Sequence, residues 1–143
     1  MPKNVIVGEV SSDFISENLP NLPKSMLSIP VYYTDTGYSG YRFRGDDHEE
    51  EEIYISPYHK FPKSNLVSTL AHEFSHKICG ELYGNYTKHT KNFYVVFITL
   101  CPKRYWKYEW HTVDVKKRGK VFFAVEQIKK INSKKLLKKI KSI

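Results

Sequence analysis

Cysteine is scarce in this sequence: Cys79 and Cys101 are the only two in 143 residues. Two thiols cannot form a disulfide framework, so reduced cysteines and an intracellular, cytoplasmic setting are expected. Long apolar runs are missing as well. The longest, Phe93–Cys101, falls well short of the ~20 residues needed to cross a bilayer and has the length of a core helix, so no membrane partner is expected. The opening MPKNVIVGEV carries one lysine and a short apolar stretch that Glu9 interrupts, which does not make a signal peptide. Acids are nearly absent from the tail: residues 116–143 hold 11 Lys+Arg against 1 Asp+Glu, a net +10, whereas residues 1–115 hold 12 against 14, a net −2. A near-neutral body with a strongly basic end points to a polyanion or an acidic partner.

What is present describes a globular chain. Hydrophobic residues make up 41% and charged residues 27%, which excludes a wholly disordered protein, and the length suits one core. No internal repeat or interdomain linker interrupts it. Residues 11–19, SSDFISENL, read as a short helix capped by Ser11 or Ser12, with acids in its first turn. A proline-rich stretch, 20–30, ends that helix. Short strands are predicted over Ile29–Thr34, Tyr41–Arg44 and Ile53–Ser56, with an acidic loop, Gly45–Glu52, before the third.

Pro62 breaks the chain ahead of a helix from about Leu66 to Tyr83, with Ser64 or Asn65 as candidate cap. Leu66, Val67, Leu70, Phe74, Ile78 and Leu82 recur at three and four residues and form a core-facing stripe, and Gly84-Asn85 is the stop. A second helix starts near Lys88–Thr90 and ends at Pro102. Tyr105–Val115 and Val121–Val125 read as a hairpin turning at Gly119. Ile128, Ile131, Leu136, Leu137 and Ile140 recur at helical spacing among the last lysines. The result is one α+β domain over 1–143: a core at 1–102, a hairpin at 103–125 and a basic C-terminal helix at 126–143.

The densest chemistry lies in HEFSH, residues 72–76. His72 and His76 are four apart on a helix, so both rings leave the same face and can bind one ion. Glu73 is one residue on, about 100° around the helix, and so stands beside that ion, where it can take a proton from a water. This geometry is why H-E-x-x-H reads as a zinc hydrolase motif. With six histidines in the chain, shuffling produces the motif on the order of 2% of the time, so context has to decide. The bland reading is two half-buried histidines flanking a solvated glutamate. A catalytic zinc takes a third protein ligand. A metzincin would need histidine at position 82, which is leucine. Glu81 points off the metal face. Cys79 is better read as a small core residue. His89, just past the Gly84 break, is the expected third ligand.

HEFSH followed after 12 residues by His89, with Gly84 eight past His76 and Phe93 four past His89, resembles the SprT-like metallopeptidases, related to the Spartan proteases. Bacterial members carry H-E-L-A-H, a glycine, then H-G-K-E-W/F; here the last part is H-T-K-N-F. The resemblance spans about residues 10–125 and concentrates in 70–93. It implies a zincin-like minimal metallopeptidase in which a small three-stranded sheet packs on the metal helix. It further implies one catalytic Zn2+ on His72, His76 and His89, Glu73 as general base, and a protein or peptide substrate. By analogy with zincins, the third strand would be the edge beside the cleft, where an extended substrate pairs through its backbone. Family members often continue into a zinc ribbon built on two Cys pairs. This chain has Cys101 but no C-x-x-C, so 103–125 is a degenerate ribbon whose Trp106, Trp110, Phe122 and Phe123 must hold it by packing.

The lysine-rich tail is either a solvated helix face or an arm for nucleic-acid phosphates. SprT-like proteins act on DNA-bound proteins, which favours DNA and a nucleoid-associated or viral setting. Tyr32, Tyr33, Tyr38, Tyr41 and Tyr58 flank the predicted sheet, for packing or for stacking on bases or substrate. Beside the peptidase stand two other readings: a nucleic-acid-binding protein that keeps the scaffold without peptidase activity, and a structural protein with incidental histidines.

Overall fold

The fold is mixed α+β, four short strands and five helices, in a computed structural model that describes residues 6–35, 38–44, 50–108 and 133–143. Strand β1 (Ile6–Glu9) precedes α1 (Ser12–Asn18), a 3-10 turn (Lys24–Ser28) and strands β2 (Val31–Thr34), β3 (Gly40–Arg44) and β4 (Glu50–Ile55). Helices α2 (Pro57–Lys60), α3 (Lys63–Tyr83) and α4 (Lys91–Leu100) follow, then a 3-10 turn (Lys103–Tyr108) and α5 (Ser133–Lys141). Ser11 is the cap of α1, its hydroxyl accepting from the Phe14 amide at 3.1 Å.

The sheet order is β1-β2-β4-β3, with β2 and β4 parallel and both outer pairs antiparallel. Four strands replace the three expected, because Ile6–Glu9 adds to β2 with a register irregularity between Ile6 and Gly8. The third predicted strand is not the edge. Ile53 and Ile55 are fully buried and occupy the middle of the sheet, while β3, with its exposed Arg42, takes the edge. Nor are residues 50–52 loop: register sets Arg42 opposite Glu52, an opposite-charge cross-strand pair that lets an acidic run continue as strand.

The predicted apolar stripe of α3 understates its burial. Every residue from Leu66 to Gly80 is buried, because the sheet and α4 both pack on this helix. Neither Ser64 nor Asn65 caps it; Pro62 holds the cap position without a side-chain bond. Its C-terminus is the expected one. Gly84 adopts the left-handed conformation (φ 71°), its amide donating to Gly80 O at 2.9 Å.

Helix α5 lays Leu136 and Ile140 into the core and leaves Lys134, Lys135, Lys138, Lys139 and Lys141 exposed. The Ser25 hydroxyl donates to the Ile143 carbonyl at 2.9 Å. Tyr105–Tyr108, predicted as strand, belong to the 3-10 turn instead. The Tyr105 amide donates to Pro102 O at 2.8 Å, and the Trp106 indole donates to Cys101 O at 2.8 Å. The rest of the predicted hairpin, with Trp110, Phe122 and Phe123, and residues 126–132 of the predicted helix lie outside the described residues. No helix among the described residues is long and apolar enough to cross a membrane.

Gly84 carries a test of this frame. Gly84→Ala places a Cβ in the left-handed region and is expected to lower unfolding stability by about 1–2 kcal/mol, read by urea denaturation. An unchanged midpoint would show that the helix ends otherwise.

Candidate metal centre

Two helices and the turn between them build the site. The interior of α3 sets His72 and His76 one helical turn apart, with ring centroids 5.1 Å apart. Gly84 then reverses the chain, and Thr90 starts α4 by accepting from the Phe93 amide at 3.2 Å. His89, the residue before the cap, is thereby aimed back at α3. Its ring centroid lies 4.8 Å from that of His72 and 4.9 Å from that of His76. Phe93, one turn into α4, closes the base: its ring sits 4.9, 4.7 and 5.0 Å from the three imidazoles.

The three rings lie close enough to hold a metal ion, with one donor nitrogen from each and all three within 4.8 Å of one another. The Nε2 atoms of His72 and His89 are 3.0 Å apart. Two nitrogens sharing a tetrahedral ion at 2.0–2.1 Å stand roughly 3.3 Å apart, so the donor spacing fits. All three donors are imidazole, which suits a zinc-class transition metal and not the oxygen-seeking Ca2+ or Mg2+. His76 is held neutral, as a ligand must be: burial first, then His72 and His89, push its pKa down to about 3, with the Tyr86 backbone acting the other way. Glu73, only 4% exposed, brings Oε1 to 3.8 Å from His72 Nε2 without joining the converging donor set.

A cleft of about 350 Å³ opens above the rings, lined also by Glu73, Tyr38 and Ser39 ahead of the edge strand, Gly40 and Tyr41 at its start, and the turn residues Tyr86 and Thr87. Ser39 fixes that wall. Its hydroxyl accepts from the Ser56 amide at 2.8 Å and lies 2.6 Å from His59 Nδ1. Behind Tyr41 and Tyr86 runs a charged network. Lys77 bonds to Glu51 and, at 2.6 Å, to Glu81; the Tyr41 hydroxyl donates to Glu51 at 2.8 Å. Burial pushes the Lys77 pKa down, but the two carboxylates outweigh it and the net shift is upward.

All four predicted site residues, His72, Glu73, His76 and His89, therefore meet at one cleft. Glu81 is engaged by Lys77 on another side of the helix. Cys79 is a core residue whose thiol is pushed up to about 12 by burial. The Phe93 floor and Tyr86 were not read from the sequence as site residues, whereas Tyr41 was named for packing or for stacking on bases or substrate. Gly80, a glycine inside a helical pattern, was the available signal for a close approach there. No family model, curated protein or solved structure matches the chain.

The His76 shift has a pH consequence in metal-stripped protein. A histidine whose folded pKa lies below its ordinary 6.5 binds more protons when unfolded. Stability is thus whole above about 6.5 and is lost as pH falls toward about 3. Urea unfolding between pH 7.5 and 4.5 is expected to show this loss, and His76→Asn to flatten it; equal slopes would contradict the assignment.

Proposed function

We propose that this chain is a zincin-like metallopeptidase of SprT type that hydrolyses peptide bonds in DNA-associated proteins. The observation that carries the reading is the convergence of three imidazoles from successive helices, with the Glu73 carboxylate beside them, at the floor of an open cleft. The resemblance to SprT-like sequences in HEFSH…H and the edge strand along the cleft both support it.

His72, His76 and His89 would hold the ion, for which zinc fits best. When bound, such an ion supplies Lewis acidity toward a carbonyl and lowers the pKa of a coordinated water to near ~7. Glu73 takes the proton from the attacking water and later delivers it to the leaving amine. Its near-complete burial beside His72 keeps the carboxylate in place for both transfers. An extended substrate pairs with β3, the edge strand, whose first residues line the cleft. Phe93 excludes water from below and keeps the rings from rotating.

The exposed lysines of α5 supply the DNA-facing surface. The same lysines favour a second reading, a nucleic-acid-binding protein on this scaffold without peptidase activity. Cleavage of a loosely folded DNA-bound protein separates the two. Glu73→Gln is expected to lower turnover by about 10²–10⁴-fold while zinc content stays stoichiometric, whereas His89→Ala loses zinc. Undiminished cleavage by Glu73→Gln would refute its role as base.

Binding to DNA tests the tail separately. Lys134→Glu, Lys135→Glu, Lys138→Glu and Lys139→Glu leave Leu136 and Ile140 in the core. Together they are expected to weaken binding and flatten its salt dependence by about 0.9 in log–log slope for each lysine that meets a phosphate. Salt-independent binding by the unaltered chain would sink the idea.

A further inference from the structure

The third ring depends on a connector, residues 84–90, that must hold its course between two helices. Its ends are tied by backbone. Gly84 donates to Gly80 O, the Asn85 amide donates to Cys79 O at 3.4 Å, and Thr90 caps α4. Asn85 Oδ1 also accepts from the amides of Thr87 at 3.3 Å and Lys88 at 3.1 Å. Between these ties one side chain reaches back onto α3. The Tyr86 ring lies on the bare face of Gly80, so close that a Cβ there would stand 1.9, 2.0 and 2.3 Å from three ring carbons. The same ring stacks with Tyr41 of the edge strand, with centroids 6.2 Å apart and planes 13° from parallel. Its hydroxyl lies 3.4 Å from Glu81 Oε1, the carboxylate that Lys77 holds.

We propose that Tyr86 is a positioning residue for the metal centre: seated between Gly80 and Tyr41, it holds the connector so that His89 meets His72 and His76. The inference rests on the reading of those three rings as an ion site. The Tyr86 ring touches no ion; it acts through His89, three residues on, while the Tyr86 backbone bonds to His76. Glycine inside a helix costs about 1 kcal/mol relative to alanine, and here it makes room for the ring. The same seat joins the connector to β3, so the ligand turn and the substrate-pairing edge share one aromatic wedge.

The test uses the full chain, stripped of metal and titrated with zinc against a chromophoric chelator, with Co2+ absorption as a second readout. Gly80→Ala evicts the ring while improving helix propensity, and Tyr86→Ala removes the ring. Both are expected to weaken zinc binding by about 10–100-fold, the range seen when groups that orient ligands are removed, and Tyr86→Phe by less than about threefold. Both alanine variants should also alter the Co2+ spectrum, and urea unfolding of the stripped proteins should not follow the affinity order. Wild-type affinity in Gly80→Ala and Tyr86→Ala overturns the proposal and leaves the ion site standing. So does an equal loss in Tyr86→Phe, or a loss that merely follows stability. If Gly80→Ala does not fold, the contrast between Tyr86→Ala and Tyr86→Phe decides. An unaltered chain that takes up no zinc brings down the ion site itself, and the proposal with it.

Discussion

Burying the middle of α3 between the sheet and α4 leaves its polar side chains dependent on partners inside the protein. An unsatisfied buried polar group costs on the order of 1–3 kcal/mol, and the stretch Leu66–Gly80 contains seven polar residues among those buried. Ser68 and Ser75 return their hydroxyls to carbonyls of their own helix, at 3.1 and 2.6 Å. Lys77 is met by two carboxylates. Three of the other four, His72, Glu73 and His76, line the cleft, and the fold answers them with His89 and an aromatic floor. The central helix is both the main apolar wall of the core and the carrier of the site, and the two roles occupy different sides of one cylinder.

Adjacent positions divide the work. His76 and Lys77 differ by one residue, hence by about 100° around the axis, and lead to different systems. His76 belongs to the imidazole cluster. Lys77 ties α3 to β4 through Glu51, and Glu51 in turn holds the hydroxyl of Tyr41 at the cleft wall. The ion pair thus links helix, sheet and cleft wall in a single chain of bonds.

Local rules carried the site. An i, i+4 histidine pair needs only a helix, and a glycine stop followed by a new helix start is enough to send His89 back toward it. The first helix and its Ser11 cap were legible for the same reason. Features that depend on distant partners were not. Strand β1 is four residues long and exists because β2 offers an edge. Residues 50–52 look like a solvated loop until arginine is placed opposite. The 3.6-residue period marks the apolar side of α3 but says nothing about burial of the polar side, which α4 and the sheet create. The seat of Tyr86 on Gly80 is a tertiary contact that spacing does not encode.

The two margins of the sheet differ in regularity. At one margin β3 ends the ladder among the described residues, with Gly40 and Tyr41 beside the cleft. At the other, β1 carries exposed Ile6 and Val7 on a strand of the same small sheet. A uniform ladder there would be a template for pairing with a second molecule. The misregister between Ile6 and Gly8 spoils that template, since a break in the ladder twists the strand and interrupts its row of donors and acceptors. The small sheet thus ends in a regular ladder at β3 and in an interrupted one at β1.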